Sequence, residues 1–321
     1  MVLRLGVALW RYWQTRSRDQ EAFARLAPAL GRPDAGADPG LFAAALVAAA
    51  WTVPAARHFA EQAVQAARPL GDDRLLISAL TALCKAHYWA GELEAALPFG
   101  QESVERARRL GDDVLLGTSL LIYLMPLQTI DPARCLPLYA EAFACTARSG
   151  DHLTDCDLHN NAAVAAQASG DLPAARAHLD AAARAARQIG WQAVHLSVNL
   201  GDVQRAEGDL DGARSTLQAV LPTLRRNGDI LWMAAACHCL ALLAGEAGDW
   251  HRSAVLHGAA QALRDRTGGP WEEEIARELR DSLGQARAHL GDEQLERAYA
   301  QGMALSLDQA LDLALGKTVP A

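Results

Sequence analysis

Aromatic residues are scarce in this chain: 6% of 321 residues, although 51% is hydrophobic. Much of the apolar content is therefore alanine, where half-buried strands would favour Val, Ile, Phe and Tyr, so the composition argues against an all-β fold and for closely packed helices. Basic charge is also short. Thirty Lys and Arg face 38 Asp and Glu, a formal charge of -8, which gives no net attraction to phosphate backbones or anionic membranes. The longest largely apolar stretch, residues 41–53, ends at Pro54 after 13 residues. A membrane span needs about 20, so this stretch is expected to be a buried helix. The six cysteines, Cys84, Cys135, Cys145, Cys156, Cys237 and Cys239, form no CxxC pair. Arg4 and Arg11 interrupt the apolar N-terminus, and no small-residue cleavage site follows. Reduced thiols in a cytoplasmic protein are the expectation. A nucleophile elbow, an HExxH motif and a glycine-rich dinucleotide loop are lacking as well, so neither enzymatic activity nor a cofactor is expected.

What the sequence does have is a period. One series of glycines is followed by an acid: Gly91-Glu92, Gly170-Asp171, Gly208-Asp209 and Gly248-Asp249. A second series, Gly71, Gly111, Gly150, Gly190 and Gly228, recurs at intervals of 40, 39, 40 and 38 residues and interleaves with the first at about half a period. The pattern is helix, tight turn, helix, longer turn. The glycine ends one helix in the left-handed conformation, and the acid caps the next. After the first turn come Ala175, Leu179 and Ala182, or Ala213, Leu217 and Val220, small and larger residues on one helix face that admit a close neighbour. Two degenerate repeats keep the register, with Trp51, Ala56 and Ala63 in one and Ile130, Cys135, Tyr139 and Ala142 in the other. Pro126 is expected to break or kink the helix before that last turn. With Asn199-Leu200-Gly201 ahead of Gly208 and Asn161-Ala162-Ala163 ahead of Gly170, this order resembles the tetratricopeptide repeat with lengthened helices. The resemblance covers roughly residues 40 to 263. It implies a right-handed α-solenoid of antiparallel helix hairpins with a concave face, all-α and elongated as one body.

The ends depart from the period. Residues 1–30 read as a helix pair carrying Trp10, Tyr12 and Trp13, residues 31–40 as a loop, 41–266 as the repeats and 267–321 as capping helices. Pro270 with the glutamates at 272–274 suits a helix start, and Ser306 with Gln309 forms a capping box. The opening run Leu3 to Trp13, the segment Gly248-Asp249-Trp250 through Ala260, and the ending from Gly291-Asp292 through Ala298-Tyr299 and Leu305 to Ala310 resemble the C-terminal helical region of bacterial signal-transduction ATPases. These are the transcriptional regulators of the AfsR and LuxR/MalT-like types. That resemblance implies a sensor or scaffold region; the ATPase and DNA-binding helix-turn-helix modules of the family have no counterpart here.

Few side-chain constellations suggest chemistry. Gly316-Lys317-Thr318 lacks the earlier glycine of a phosphate loop and follows a helix, not a strand. His152, Asp155, Cys156 and His159 share a helix face and could offer zinc ligands, or simply fall in the packing register. The thiols of Cys237 and Cys239 diverge by about 200° on a helix. A groove is the better expectation. Counting back from the turns places Ser78, Thr81, Lys85 and Tyr88, then Asn160, Asn161 and Gln167, then His195, Asn199, Asp202 and Arg205, and finally His238 along the first helices of the hairpins. Those side chains could hold a peptide, a carboxylate or a small effector, or could pair with one another. Leu120, Leu124 and Leu127 are expected as an apolar patch that suits an amphipathic partner or an intramolecular contact. The expected function is non-enzymatic protein or effector binding within a regulator. The alternatives are a free-standing peptide-binding scaffold or quorum-type sensor and, further off, a metal-dependent enzyme. No direct nucleic-acid or membrane contact is expected, and self-association through a solenoid end is open.

Overall fold

The computed structural model describes all residues except 17, 53–56, 268–269, 272 and 318–321. Among the described residues there are seventeen α-helices and no strand: an all-α solenoid of antiparallel helix hairpins. Contacts divide the chain into two compact units, Met1–Ala166 with Asp180–Gln192, and Gln167–Leu179 with Ala193–Ala321.

The first unit contains α1 (Val2–Thr15), α2 (Asp19–Leu30), α3 (Pro39–Thr52), α4 (Arg57–Ala67), α5 (Asp73–Trp89), α6 (Leu93–Leu110), α7 (Asp113–Ile130), α8 (Cys135–Ser149) and all but the end of α9 (His152–Ala168). Helix α10 (Leu172–Gln188) gives its second half to this unit and its first half to the other. The second unit continues with α11 (Val194–Ala206), α12 (Leu210–Asn227), α13 (Ile230–Glu246), α14 (Trp250–Asp265), α15 (Glu273–Leu290), α16 (Asp292–Met303) and α17 (Leu307–Ala314).

The turn chemistry explains the regularity. All nine glycines of the two series have φ between 62° and 84°. At Gly111 the chain leaves α6 in the left-handed region, and its N–H returns to the Ala107 carbonyl. The next residue, Asp112, accepts from the amides of Val114 and Leu115 and so opens α7. Asp72, Asp171, Asp209 and Asp249 cap their helices in the same way. At the far end, the Ser306 and Gln309 capping box is formed in both directions.

Helix α7 continues unbroken through Pro126 to Ile130. Leu120, Leu124 and Leu127 are fully buried in the core, so their contact is intramolecular and they offer no patch to a partner. Helix α7 is apolar on nearly every side, and counting back from a turn cannot say which side faces out. By length and composition it could cross a membrane, yet more than half of it is packed inside the protein. Trp13 is buried and Trp10 packs against Trp51 at 5.5 Å between ring centroids, so this hairpin does not leave its tryptophans bare. Of the expected 31–40 loop, Ala35–Ala37 is a single 3-10 turn and Pro39 already begins α3. Ala56 and Thr318 lie outside the described residues.

Alanine and glycine set how closely neighbours approach. In the second unit, α14 and α16 cross where Gly258 faces Gly302. A Cβ on Gly302 would fall 1.9 Å from the Val255 carbonyl oxygen and 2.8 Å from the Ala259 nitrogen, both rigid backbone. Between neighbouring second helices Arg108 reaches Glu141, and Arg68, just past α4, reaches Glu102, while within hairpins Arg106 reaches Asp73 and Arg148 reaches Asp113, each pair 33 to 35 residues apart. Exposed bridges of this kind add little stability. We predict that Gly302→Ala lowers the urea-unfolding free energy by about 2–3 kcal/mol, because neither backbone can retreat. An unchanged midpoint would show that the crossing is looser than described.

Candidate functional site

The polar residues counted from the sequence lie on α5, α9, α11 and α13, and several of them are engaged by neighbouring helices within their own unit. In the first unit, Ser78 is half-buried and donates to the Arg74 carbonyl. Thr81 is buried, donates to the Ile77 carbonyl at 2.8 Å and lies 3.1 Å from the Ser119 hydroxyl on α7. Lys85 donates to the Trp51 carbonyl at 3.0 Å and stands 4.4 Å from the Trp51 ring centre, a cation held by a backbone dipole and a π face together. Tyr88 meets Trp89 edge-on. Asn160 is buried and Asn161 half-buried on α9.

One acid here lay outside the groove expected from the sequence. Asp157 sits on α9 beside those asparagines, half-buried by area but densely surrounded. Burial pushes its carboxyl up to about 7, against the pull of Lys85. A raised carboxyl costs stability as pH rises. Below the unfolded value near 4 there is no penalty; between about 4 and 7 the unfolded chain releases its proton while the folded one keeps it. Asp157→Asn should therefore raise the melting temperature more at pH 8 than at pH 5. An equal gain at both values would mean the carboxyl titrates normally.

The second unit concentrates the polar line into a cluster. Arg205 on α11 is mostly buried, 14% of its side chain remaining exposed. Its Nε donates to Asp202 at 2.9 Å, one terminal nitrogen to Glu246 on α13 at 2.9 Å, and the other to Glu278 on α15 at 3.2 Å. Gln167 completes Asp202 from the other side at 2.6 Å. Three carboxylates around one guanidinium leave the cluster with an excess of negative charge. Asp202 foremost, with the two glutamates, keeps Arg205 protonated against its burial.

His238 stands behind Glu278, with Nε2 3.6 Å from its carboxylate, beyond hydrogen-bond distance but close enough to favour the charged acid. The His238 ring and Arg205 hold the Glu278 carboxyl below its ordinary value although burial opposes this. The ring is 3% exposed and makes no hydrogen bond among the described residues. It is flanked by His257 at 5.3 Å and Trp271 at 5.7 Å. His257 lies 2.9 Å from the Ser282 hydroxyl, and Trp271 donates to Gln261. His195, on α11, packs against Trp232. Burial pushes His195 down to about 4 and His257 to about 3. Both contribute stability that is whole above about 6.5 and is lost as the pH falls through that range toward their folded values. Asn199 is half-buried on α11.

Among the described residues, His152, Asp155, Cys156 and His159 do not converge as one set of ligands. His152 is exposed, Asp155 accepts from Thr146, Cys156 is buried and His159 packs on Phe143 at 4.5 Å. Burial pushes the Cys84 and Cys237 thiols up to about 12, where they are poor nucleophiles. Lys317 pairs with Asp312 at 2.9 Å. Glu246, Glu278 and Trp271 were not singled out in sequence. Glu278 had a signal all the same, since it lies 40 residues beyond His238, one period past the last turn used for counting.

Removing Arg205 leaves three carboxylates facing one another. Arg205→Ala should cost about 2 kcal/mol in urea unfolding, the modest end for a partly buried network because Glu246 and Glu278 are part-exposed. Adding Glu278→Gln should recover part of that loss. Strict additivity of the two changes would deny the cluster.

Comparison with known proteins agrees with a regulatory setting. No protein-family model matches the sequence. A Mycobacterium bovis protein provisionally named as an HTH-type transcriptional regulator is 34% identical over 151 residues, and like-named proteins of two Mycobacterium tuberculosis strains match equally. Each match covers 46% of this chain but only 16% of the relative. Among solved structures, BtubC (BKLC) from P. vanneervenii superposes with a TM-score of 0.49 at 16% identity, over 71% of this chain and 92% of that one. The chain is thus similar, over part of its length, to much longer proteins named as transcriptional regulators.

Proposed function

We propose that this chain is a non-enzymatic binding region of a bacterial transcriptional regulator, a tetratricopeptide-like solenoid whose first-helix face takes a protein partner or small effector in the cytoplasm. The carrying observation is the polar side chains on first helices, Ser78, Thr81 and Lys85 on α5 in the first unit and, in the second unit by itself, the Arg205 cluster with Asp202, Glu246 and Glu278. The match to longer proteins named as HTH-type regulators supports the setting. A signal-transduction ATPase of the AfsR or LuxR/MalT-like type is the parent this reading favours, with nucleotide hydrolysis and DNA contact assigned to other modules. An excess of acid over base suits a segment that does not itself touch DNA.

A photo-cross-linking amino acid placed at Ser78, Asn161 or Asn199 tests the face directly, with Gln101 and Arg214 on second helices as controls. The reading expects cross-links to one partner from the first set and none from the second. Capture from the control positions alone, or retention of random DNA duplex by the purified chain, would contradict it.

A further inference from the structure

Helix α1 is amphipathic in two directions. Its inner side is accounted for: Leu3, Val7 and Trp10 pack on the first core cluster, Trp13 is buried within it, and Gly6 lies so close to Leu26 that a Cβ would fall 2.2 Å from that side chain. Its outer side carries Val2, Leu5, Leu9 and Tyr12, which are 46%, 51%, 37% and 50% exposed. The intervals of three, four and three residues are those of a and d positions through two heptads. Elsewhere among the described residues the exposed large hydrophobic side chains, such as Leu70, Leu136 and Met303, are scattered singly along the sequence. Single exposed side chains are ordinary on a surface, and an aligned row is not.

Charge is segregated at the same place. The first eighteen residues contain Arg4, Arg11, Arg16 and Arg18 and no acid, which leaves 26 basic against 38 acidic residues in the rest of the chain. Arg11 is occupied by Asp151, and Arg18 by Glu21. Arg4 is exposed, and Arg16, stacked 5.7 Å from the Tyr12 ring centre and donating to the Gly190 carbonyl, continues the a-position row with no carboxylate paired to it among the described residues. The seam is therefore apolar in its middle and basic toward both ends.

We propose that this outer face of α1 is a docking seam for one helix of a partner polypeptide, an amphipathic helix with apolar a and d positions flanked by carboxylates. A single row of a and d residues matches the knobs-into-holes seam of a two-helix contact, whereas a membrane takes a broader apolar face. The tryptophans that would enter a lipid surface are turned inward here, and the chain as a whole is acidic. A second copy of α1 would bring the arginines together with no acid between them. Ala8 beside the row is exposed and leaves room for close approach. This seam is separate from the polar face invoked above, so either reading can fail without the other.

Two synthetic three-heptad peptides serve as probes, both with leucine at a and d, one with glutamate and one with lysine at the flanking e and g positions. Fluorescence anisotropy with the full chain should give a dissociation constant on the order of 10 μM for the glutamate peptide and at least about tenfold weaker binding for the lysine peptide. Leu5→Asp with Leu9→Asp should weaken the first at least about tenfold with the chain still folded at the assay temperature by circular dichroism, since both side chains are only partly buried. Arg4→Glu with Arg16→Glu should reverse the preference between peptides. No binding by either peptide, equal binding of both, or indifference to Leu5 and Leu9 would overturn the proposal. So would binding to phosphatidylserine vesicles in place of peptide, or a self-association abolished by Leu9→Asp, which would assign the seam to a membrane or to a second copy.

Discussion

Everything in this molecule follows from one constraint: a two-helix hairpin cannot bury its own apolar face, so each must be covered by the next. Coverage demands close approach, and close approach demands small residues where helices meet. The alanine-rich, aromatic-poor composition is the chemical form of that demand. Gly258 against Gly302 is its limit, where even a methyl group would strike backbone. The left-handed glycine at each turn and the capping acid after it then set the point at which every helix starts, so that faces repeat in register.

Register in turn decides where polar side chains can go. On the outer helices it aligns arginines with acids one repeat away, and on the first helices it aligns Thr81 with Ser119, Gln167 with Asp202, and Arg205 with Glu246. A polar residue at these positions is thus shared between neighbours and sits near the protein surface without being wholly solvated. The Arg205 cluster is the extreme case. Charge accumulates there faster than it is neutralised, and buried His238 stands against it without a hydrogen bond.

The period was legible because it rests on glycine and acid, residues with a single mechanical role. Helix pairs and caps could be read by counting from those residues. Counting failed where the helix carried no polar marker. On α7 the three leucines of the supposed patch are core, since an apolar helix looks the same from every side. It also failed where the partner came from beyond the last turn, as with Glu278. Asp157 was passed over because an acid one residue from a packing cysteine reads as solvated until its surroundings are known. On α1 the exposed residues Val2, Leu5, Leu9 and Tyr12 lie on the side away from the packed Trp10 and Trp13.

The central claim is that polar pairing on the first helices, above all at Arg205, ties successive repeats of the second unit into one body. Amide hydrogen exchange followed by mass spectrometry on Arg205→Gln tests it most directly. The account predicts faster exchange, by about tenfold, in residues 194–206, 230–246 and 273–290 together, with α12 and α16 little changed. Acceleration confined to residues 194–206, with residues 273–290 as protected as before, would contradict it.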